Sequence, residues 1–226
     1  MGAPAHDEFE AKCNDRLARP PGVWQHSTLI PETPMSSRQK LILASGSPRR
    51  RELLAQAGLA FDLAESGVEE LRAPGEDARD YALRMARAKA AAVSRLDREA
   101  IVIGADTVVQ CAGEILEKPK DAADAHRMLR TLSGRGHVVV TAFAIARGGE
   151  VVESEAVESR VFFRPLTDEE IRDYVSSGEP FDKAGAYGIQ GRGGEFIARV
   201  DGPTDNVMGL PVSSVLDGLR RAGVKV

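Results

Sequence analysis

The sequence predicts an α/β protein built on a mixed, twisted sheet. From residue 39 onward, short apolar segments with strand periodicity alternate with segments of helical periodicity. Two long strand-like segments also flank the pair Gly148-Gly149, which is typical of an antiparallel hairpin. Alternating strands and helices favour a sheet covered by helices, and the hairpin makes a fully parallel sheet less compatible with the pattern.

The first half of this region predicts three strands and three helices. A strand over 40–44 leads into a helix over 49–57, with Ser47 as N-cap, Pro48 as first residue and Gly58 at the end. The other elements of this half are a strand over 61–71, an Ala-rich helix over 77–96, a strand over 100–110 with a break at Gly104, and a helix over 121–134 capped by Asp121.

The second half predicts the hairpin, two helices and a last strand. A glycine-rich loop over 178–194 separates the first of these helices from the last strand. The predicted elements are the hairpin strands over 136–147 and 150–166, a helix over 167–178, a strand over 195–200 and a helix over 211–223.

Residues 1–38 differ from the rest, with five prolines, mixed charges and no periodicity. This composition predicts a disordered or loosely packed leader, followed by one domain over 39–226. Met35 precedes the first strand and is a candidate natural start. The alternative interpretation is an N-terminal arm that packs on the domain through Trp24, the only tryptophan.

The composition excludes several classes of protein. A net charge of −4 disfavours a surface that coats nucleic acid. Two distant cysteines and four scattered histidines give neither a disulfide framework nor a zinc pattern. The sequence shows no apolar run of membrane-spanning length and no signal-peptide pattern, so we predict a cytoplasmic protein.

Three consecutive arginines, Arg49 to Arg51, stand at the predicted start of the first helix. A helix N-terminus carries roughly half a positive charge, so cations there lower stability unless an anion lies nearby. Free backbone N–H groups after Ser45 and the planar guanidinium groups of Arg49 and Arg50 suit a polyphosphate. The segment lacks the spacing of a Walker P-loop, and a solvated surface helix is the alternative interpretation.

Acidic residues mark a second candidate site. Asp106 interrupts the apolar segment IVIGADTVV, which predicts a base or a metal ligand; an exposed turn is the alternative. Glu69 and Glu70 lie on the predicted strand over 61–71, so they point to opposite faces. Val68 shares the face of Glu70, which favours Glu70 as the residue that faces Asp106. A solvated pair is the alternative.

Three lysines have less specific surroundings. Lys89 shares its helical face with Met85 and Val93, so its ammonium group either extends to water or reaches an anion. Lys118 and Lys120 flank a proline in the segment LEKPKD, in a loop that would turn toward a phosphate or remain solvated.

The loop over 178–194 contains five glycines in ten residues, which let the backbone approach a ligand closely. Gln190 offers both a donor and an acceptor, as reading the edge of a base requires. The apolar residues Phe181, Tyr187 and Ile189 argue against the alternative of a flexible surface loop.

Eight segments stand in order from about residue 40 to 212: LASGSPRRRELL, VEE, RMARAKA, VIGADTVV, LEKPKD, MLRTLSGRGHVVVTA, DKAGAYGIQG and NVMGLP. Together they resemble the Maf family of nucleoside triphosphate pyrophosphatases, long described as septum-formation inhibitor proteins. Each segment is weakly specific by itself, whereas eight in family order are not.

This resemblance implies an elongated, inosine triphosphatase-like (Maf/Ham1) fold with two lobes around a cleft. It also implies hydrolysis of a nucleoside triphosphate to the monophosphate and pyrophosphate with a divalent metal, Mg²⁺ or alternatively Mn²⁺. By motif position, the phosphates would be held by Ser45, Arg49, Arg50, Lys89 and Lys118, the metal and the catalytic step would involve Glu70 and Asp106, and Gln190 would contact the base.

Within the family, SPRR, GADT and AGAYGIQG resemble the branch that acts on dTTP and UTP. The branch that acts on 7-methyl-GTP has instead an aromatic after the proline, GSDQ and AGSFKSEG. The segment DGPTDNVMGLP departs from the family, which usually has an aromatic before NVVGLP. This departure leaves room for a looser substrate preference.

Three hypotheses about function follow. The first is a dTTP/UTP pyrophosphatase, the second a non-catalytic nucleotide-binding regulator of cell division or septum formation, and the third an RNA- or modified-nucleotide-binding module. Two carboxylates beside an anion disfavour the second, and the negative charge disfavours the third. The expected partner is a nucleoside triphosphate, with no nucleic acid and no membrane; a homodimer is left open.

Overall fold

In the computed structural model, which describes residues 39–226, strands and helices alternate around one sheet. The predicted leader, with Trp24 and Met35, lies outside the described residues. The strands are β1 Leu41–Ala44, β2 Asp62–Ala64, β3 Ile101–Cys111, β4 Glu114–Leu116, β5 Gly136–Arg147, β6 Glu150–Phe163 and β7 Ile197–Asp201. The helices are α1 Pro48–Gln56, α2 Ala78–Ser94, α3 Ala122–Leu132, α4 Asp168–Ser176, α5 Thr204–Met208 and α6 Val212–Arg221.

The seven strands form a mixed sheet in the order β2-β1-β3-β5-β6-β7, with β4 paired to β3. Strand β1 runs parallel to β2 and β3, and the other neighbours are antiparallel. The predicted class, a mixed α/β sheet with flanking helices, is confirmed. Gly148 and Gly149 join β5 to β6 with positive φ angles of 61° and 93°, which glycine adopts without steric cost.

Apolar side chains form separate groups along this sheet. One group joins α1 and α6 to β1 and the first half of β3, and includes Leu43, Leu54 and Leu219. Another joins α3 and α4 to the second half of β3, and includes Leu129 and Tyr174. Among residues 39–226, no helix is both long and apolar enough to cross a membrane.

Helix caps follow the sequence with one exception. Asp121 accepts a hydrogen bond from the backbone N–H of Asp124 at 2.8 Å, and Thr167 forms a capping box with Glu170. Ser47 is the N-cap residue of α1, as predicted, but its side chain makes no capping hydrogen bond. Pro48 still begins α1, as predicted.

Two strand predictions also need correction. The predicted strand over 61–71 is paired only at β2, and residues 65–71 form a loop that includes Gly67 at φ 61°. The side-chain argument from strand faces therefore does not hold for Glu70. Gly104 does not break β3, which is continuous. Helix α2 packs so closely there that a Cβ atom at Gly104 would lie 2.4 Å from the carbonyl oxygen of Ala86.

Candidate active site

A cavity of about 520 Å³ opens between the two groups of apolar residues. Its walls come from the β1–α1 turn, the 65–70 loop, the middle of β3, the segment over 182–189 and the end of α5, with single residues from α2, from β5 and from the loop after β4. Of the predicted site residues, all except Gln190 line it: Ser45, Arg49, Arg50, Glu70, Lys89, Asp106 and Lys118. Tertiary contacts thus bring together side chains that are far apart in sequence.

Arg50 is the most extensively bonded of the three arginines. Its guanidinium group donates to the carbonyl oxygens of Gly209 at 2.8 Å and Ala105 at 2.9 Å. It also donates to the hydroxyl oxygens of Thr107 at 3.0 Å and Ser45 at 3.3 Å. Burial lowers the pKa of Arg50, partly offset by the charges of the cavity carboxylates. Arg50 therefore places a positive charge in the wall and ties α1 to β3 and to the end of α5.

Arg49 faces a different part of the cavity. Its Nη1 atom lies 3.2 Å from Oδ2 of Asp182, a residue 133 positions away in sequence. The second oxygen of Asp182 accepts a hydrogen bond from Nζ of Lys183 at 2.5 Å. Both Asp182 and Lys183 line the cavity. An ion pair thus spans the cavity from α1 to the segment that follows α4.

Lys89 lies at the centre of the site between two carboxylates. Its Nζ atom donates to Oε1 of Glu70 at 2.5 Å and to Oδ1 of Asp106 at 2.6 Å. Lys89 and Asp106 are buried, at 6% and 7% exposure. The alternatives of a lysine that extends to water and of an aspartate in an exposed turn are therefore excluded. Lys89 reaches an anion, and this anion is supplied by the protein.

The pKa values of the two carboxyl groups shift in opposite directions. For Asp106, burial raises the pKa above its usual range, although the charges of Lys89 and Arg50 oppose this effect. For Glu70, burial also raises the pKa, but the hydrogen bond and charge of Lys89, with Lys118 and Arg50, outweigh it and the net pKa is lowered. In this arrangement, burial favours the protonated form of Asp106, whereas the neighbouring cations favour the ionised form of Glu70.

Two predicted residues are less closely engaged. Nζ of Lys118 lies 3.6 Å from Oε2 of Glu70, and its side chain is 60% exposed. Gln190 is exposed and does not line the cavity, although Gly188 and Ile189 immediately before it do. The role of Gln190 toward a base stays a prediction.

The site thus combines two adjacent carboxylates with cations on opposite walls. Four cationic groups, Arg49, Arg50, Lys89 and Lys118, surround Glu70 and Asp106. Cations placed on several sides of a cavity can neutralise a polyphosphate, and a carboxylate of raised pKa can accept a proton from water. The family model described as Maf-like protein matches residues 40–222. The chain belongs to the Maf family.

Relatives in the Maf family are similar over nearly all of their length. A protein of Geotalea uraniireducens (strain Rf4) named dTTP/UTP pyrophosphatase is 50% identical over 190 residues, which cover 84% of this chain and 98% of that protein. A protein of Escherichia coli O157:H7 with the same name is 53% identical over 173 residues, covering 76% of this chain and 87% of that protein.

Two solved structures are also similar. One is a nucleoside-triphosphatase / dITP/XTP pyrophosphatase from Mycobacterium abscessus, at 17% identity and TM-score 0.39, covering 82% of this chain and 95% of that chain. The other is a HAM1 protein from Coxiella burnetii, at 13% identity and TM-score 0.43, covering 79% of this chain and 98% of that chain.

Thr107, which lines this Maf cavity, and the buried polar residues behind it were missed by the sequence analysis. Thr107 accepts a hydrogen bond from Arg50 and lies 3.0 Å from the hydroxyl of Thr141, which donates to the carbonyl oxygen of Asn206 at 2.7 Å. The amide of Asn206 in turn donates to the hydroxyl of Ser159 at 3.0 Å. Thr107 belongs to the segment GADT and Asn206 to the segment NVMGLP. The sequence therefore marked both segments, but it did not indicate the hydrogen bonds that their residues make.

Proposed function

We propose that this chain hydrolyses dTTP and UTP to the nucleoside monophosphate and pyrophosphate. The observation that carries the proposal is the centre of the cavity, where Lys89 joins Glu70 and Asp106 among further cations. Such a centre can bind a polyphosphate and also activate water beside it. The substrates come from the relatives, which carry the name dTTP/UTP pyrophosphatase at about 50% identity.

The cationic residues would bind the triphosphate. Ser45, Arg49 and Lys118 line the cavity with side chains that are partly exposed, so their donors can reach phosphate oxygens. Arg50 and Lys89 are bonded to protein oxygens and contribute positive charge from fixed positions. Fixed charges of this kind stabilise the transition state without reorganisation.

Glu70 and Asp106 fit the divalent metal that the family implies, and our assignment is Mg²⁺ with Mn²⁺ as the alternative. The second oxygen of each carboxylate is not bonded to Lys89. Among residues 39–226, no group of three or more acidic, histidine or cysteine side chains could hold a metal by itself. This agrees with Mg²⁺, which commonly uses one or two carboxylates together with substrate phosphates.

The reaction would proceed by attack of water on the α-phosphorus, with pyrophosphate as the leaving group. Asp106, whose pKa is raised by burial, would accept the proton of this water, and Glu70 is the alternative base. Lys89, Arg49 and Arg50 would offset the negative charge that develops on the leaving group. A bound divalent metal would supply further positive charge at the phosphate oxygens.

The segment that ends at Gln190 would select the base. Gly188 and Ile189 line the cavity, and the amide of Gln190 can pair with a pyrimidine edge from the adjacent position. A side-chain amide that recognises a base by hydrogen bonds disfavours the wrong base, because the amide is then left without hydrogen-bond partners. We also propose a cytoplasmic location, where these nucleotides are used.

A substrate screen tests the function. Purified protein is incubated with Mg²⁺ and dTTP, UTP, GTP, 7-methyl-GTP or ATP, and released pyrophosphate is measured. We expect kcat/KM to be highest for dTTP and UTP. A purine triphosphate in first place would overturn the substrate assignment, and tight nucleotide binding without pyrophosphate release would favour the non-catalytic regulator.

A further inference from the structure

The carboxylate of Asp182 is held between two cations that line the cavity. Its Oδ2 atom lies 3.2 Å from Nη1 of Arg49, and its Oδ1 atom lies 2.5 Å from Nζ of Lys183. Lys183 also donates to the carbonyl oxygen of Glu179 at 2.6 Å, so it has a backbone anchor that is independent of Asp182. Two oxygens of one anionic group shared by an arginine and a lysine are the contacts that a phosphate group makes.

This ion pair is open to exchange, whereas the pair of Lys89 with Asp106 is buried. The side chain of Asp182 is 63% exposed and that of Arg49 is 26% exposed. Exposed pairs contribute little stability, so a competing anion can replace Asp182 at small cost. Arg50 and Lys89, in contrast, are held by four and two protein oxygens respectively.

We propose that Asp182 is an internal placeholder for a phosphate group. It holds Arg49 and Lys183, and an incoming triphosphate displaces it from Arg49. The proposal rests on the proposed function, because it requires that the cavity binds a triphosphate. Its consequence is that Asp182 weakens the binding of substrate and of pyrophosphate, and so prevents Arg49 from retaining the product.

Asp182 lies between two walls of the cavity, where a triphosphate can replace it. Asp182 ends the short helical turn Glu179–Asp182, directly before the segment over 183–189 that forms one wall of the cavity. Arg49 lies in the first turn of α1 on the other side. The ion pair therefore links two walls of the cavity, and the triphosphate would take over this link.

The test measures binding of inorganic triphosphate by calorimetry without metal. This ligand has no nucleobase, and hydrolysis is not part of the measurement. We expect Asp182→Asn and Asp182→Ala to bind it more tightly than wild type by up to about fivefold, the range of an exposed ion pair. The gain should disappear when Arg49→Gln is added, because Arg49 is the residue that Asp182 holds. Thermal unfolding of each variant verifies that it is folded.

A matched control separates this exchange from a general charge effect. Glu65 also lines the cavity, and within residues 39–226 no ion pair joins it to Arg49. Glu65→Gln removes the same charge and should change binding less, whether or not Arg49 is present. Equal or weaker binding by Asp182→Asn, or an equal gain in the Arg49→Gln background, would overturn the proposal.

The outcome also stays distinct from that of the substrate screen. If the protein shows the expected coupling between Asp182 and Arg49 but does not hydrolyse dTTP or UTP, the placeholder role of Asp182 stands and the proposed function is wrong. If the wild-type protein hydrolyses dTTP but the variants show no such coupling, only the placeholder role of Asp182 is wrong. Failure of every variant to bind inorganic triphosphate would overturn the placeholder directly.

Discussion

At the scale of single residues, one ammonium group balances two carboxylates at the centre of the cavity. Lys89 is close to both Glu70 and Asp106, yet the pKa of Asp106 is raised and that of Glu70 is lowered. The difference follows from burial, since the side chain of Asp106 is 10% exposed and that of Glu70 is 41% exposed. Burial penalises the charged form more strongly where water is more completely excluded.

Replacement of Asp106 by asparagine should abolish most activity without loss of stability. We expect kcat to fall by about 10²-fold or more, because a positioned base contributes about 10²–10⁴-fold. A raised folded-state pKa means that the ionised form costs stability at neutral pH, so removal of the charge should leave the melting temperature unchanged or higher. Metal-free dTTP should bind as well or more tightly.

Asp201→Asn is the matched control, because Asp201 lies on β7 outside the cavity lining. Its turnover and stability should stay near those of wild type. Turnover within a fewfold of wild type for Asp106→Asn would remove Asp106 from the mechanism and leave Glu70 as the candidate base.

The burial of His137 should make the stability of the protein depend on pH. It is 3% exposed, and burial lowers its pKa to about 4 from 6.5. The unfolded state therefore binds more protons between about pH 6.5 and 4, so stability must fall as the pH falls through this window. We expect a loss of about 2 kcal/mol between pH 7 and 5 in urea unfolding.

His137→Gln provides the comparison, since glutamine does not titrate and can still pair with the hydroxyl of Tyr187, which lies 2.7 Å from Nε2. Its stability should depend much less on pH over this window. The carboxyl groups of Glu76 and Glu170, with pKa values of about 2, titrate at lower pH. An equal slope in the variant would show that another group is responsible.

At the scale of elements, the contact between α2 and β3 sets the floor of the cavity. Gly104 on β3 allows α2 to approach until a Cβ atom would lie 2.4 Å from the carbonyl oxygen of Ala86 and 2.6 Å from the amide nitrogen of Ala90. This close approach places Lys89, next to Ala90, within hydrogen-bond distance of Asp106, two residues beyond Gly104.

Gly104→Ala should therefore destabilise the protein by about 3 kcal/mol, because the clash is with backbone atoms that cannot rotate away. Turnover should fall as well, since α2 would move and Lys89 with it. Gly223→Ala is the control: a Cβ there meets nothing within 4 Å, and only the positive φ of 80° opposes it. Equal costs in urea unfolding would contradict the proposed close contact.

At the scale of the whole molecule, a chain of buried hydrogen bonds joins the walls of the cavity. It runs from Arg50 on α1 through Thr107 on β3 and Thr141 on β5 to the backbone of Asn206 on α5. Each hydroxyl has one proton, so Thr107 accepts from Arg50 and donates to Thr141, which donates to Asn206. The chain of hydrogen bonds fixes β3, β5 and α5 relative to Arg50.

Thr141→Val removes the central hydroxyl at nearly constant volume and should cost about 1–3 kcal/mol, because Thr141 is fully buried and its partners lose a bond. We also expect a higher KM, since the hydrogen bond that Thr107 makes to Arg50 loses its support. Thr141→Ser keeps the hydroxyl and should retain the KM of wild type. A valine variant with wild-type KM would limit the chain to a role in stability.

The sequence by itself determined the elements whose signals are local. The helix cap at Asp121, the turn at Gly148-Gly149 and the periodicity of the long strands depend on nearest neighbours, and all are confirmed. It also indicated the residues that line the cavity, because a buried charge such as Asp106 conflicts with its local surroundings and so marks a site. Gln190, chosen for its chemistry in a loop, and Lys120 lie outside the lining.

Only the tertiary structure decided what each of these residues contacts. Only residues 62–64 of the segment before Glu70 pair with β1. Glu70 therefore lies on a loop, and its position does not follow from a strand face. Lys89 bridges Glu70 and Asp106 because Gly104 lets α2 come close, and Asp182 reaches Arg49 across 133 positions. Such contacts join distant parts of the chain, and their geometry is fixed by packing, which no local pattern of residues records.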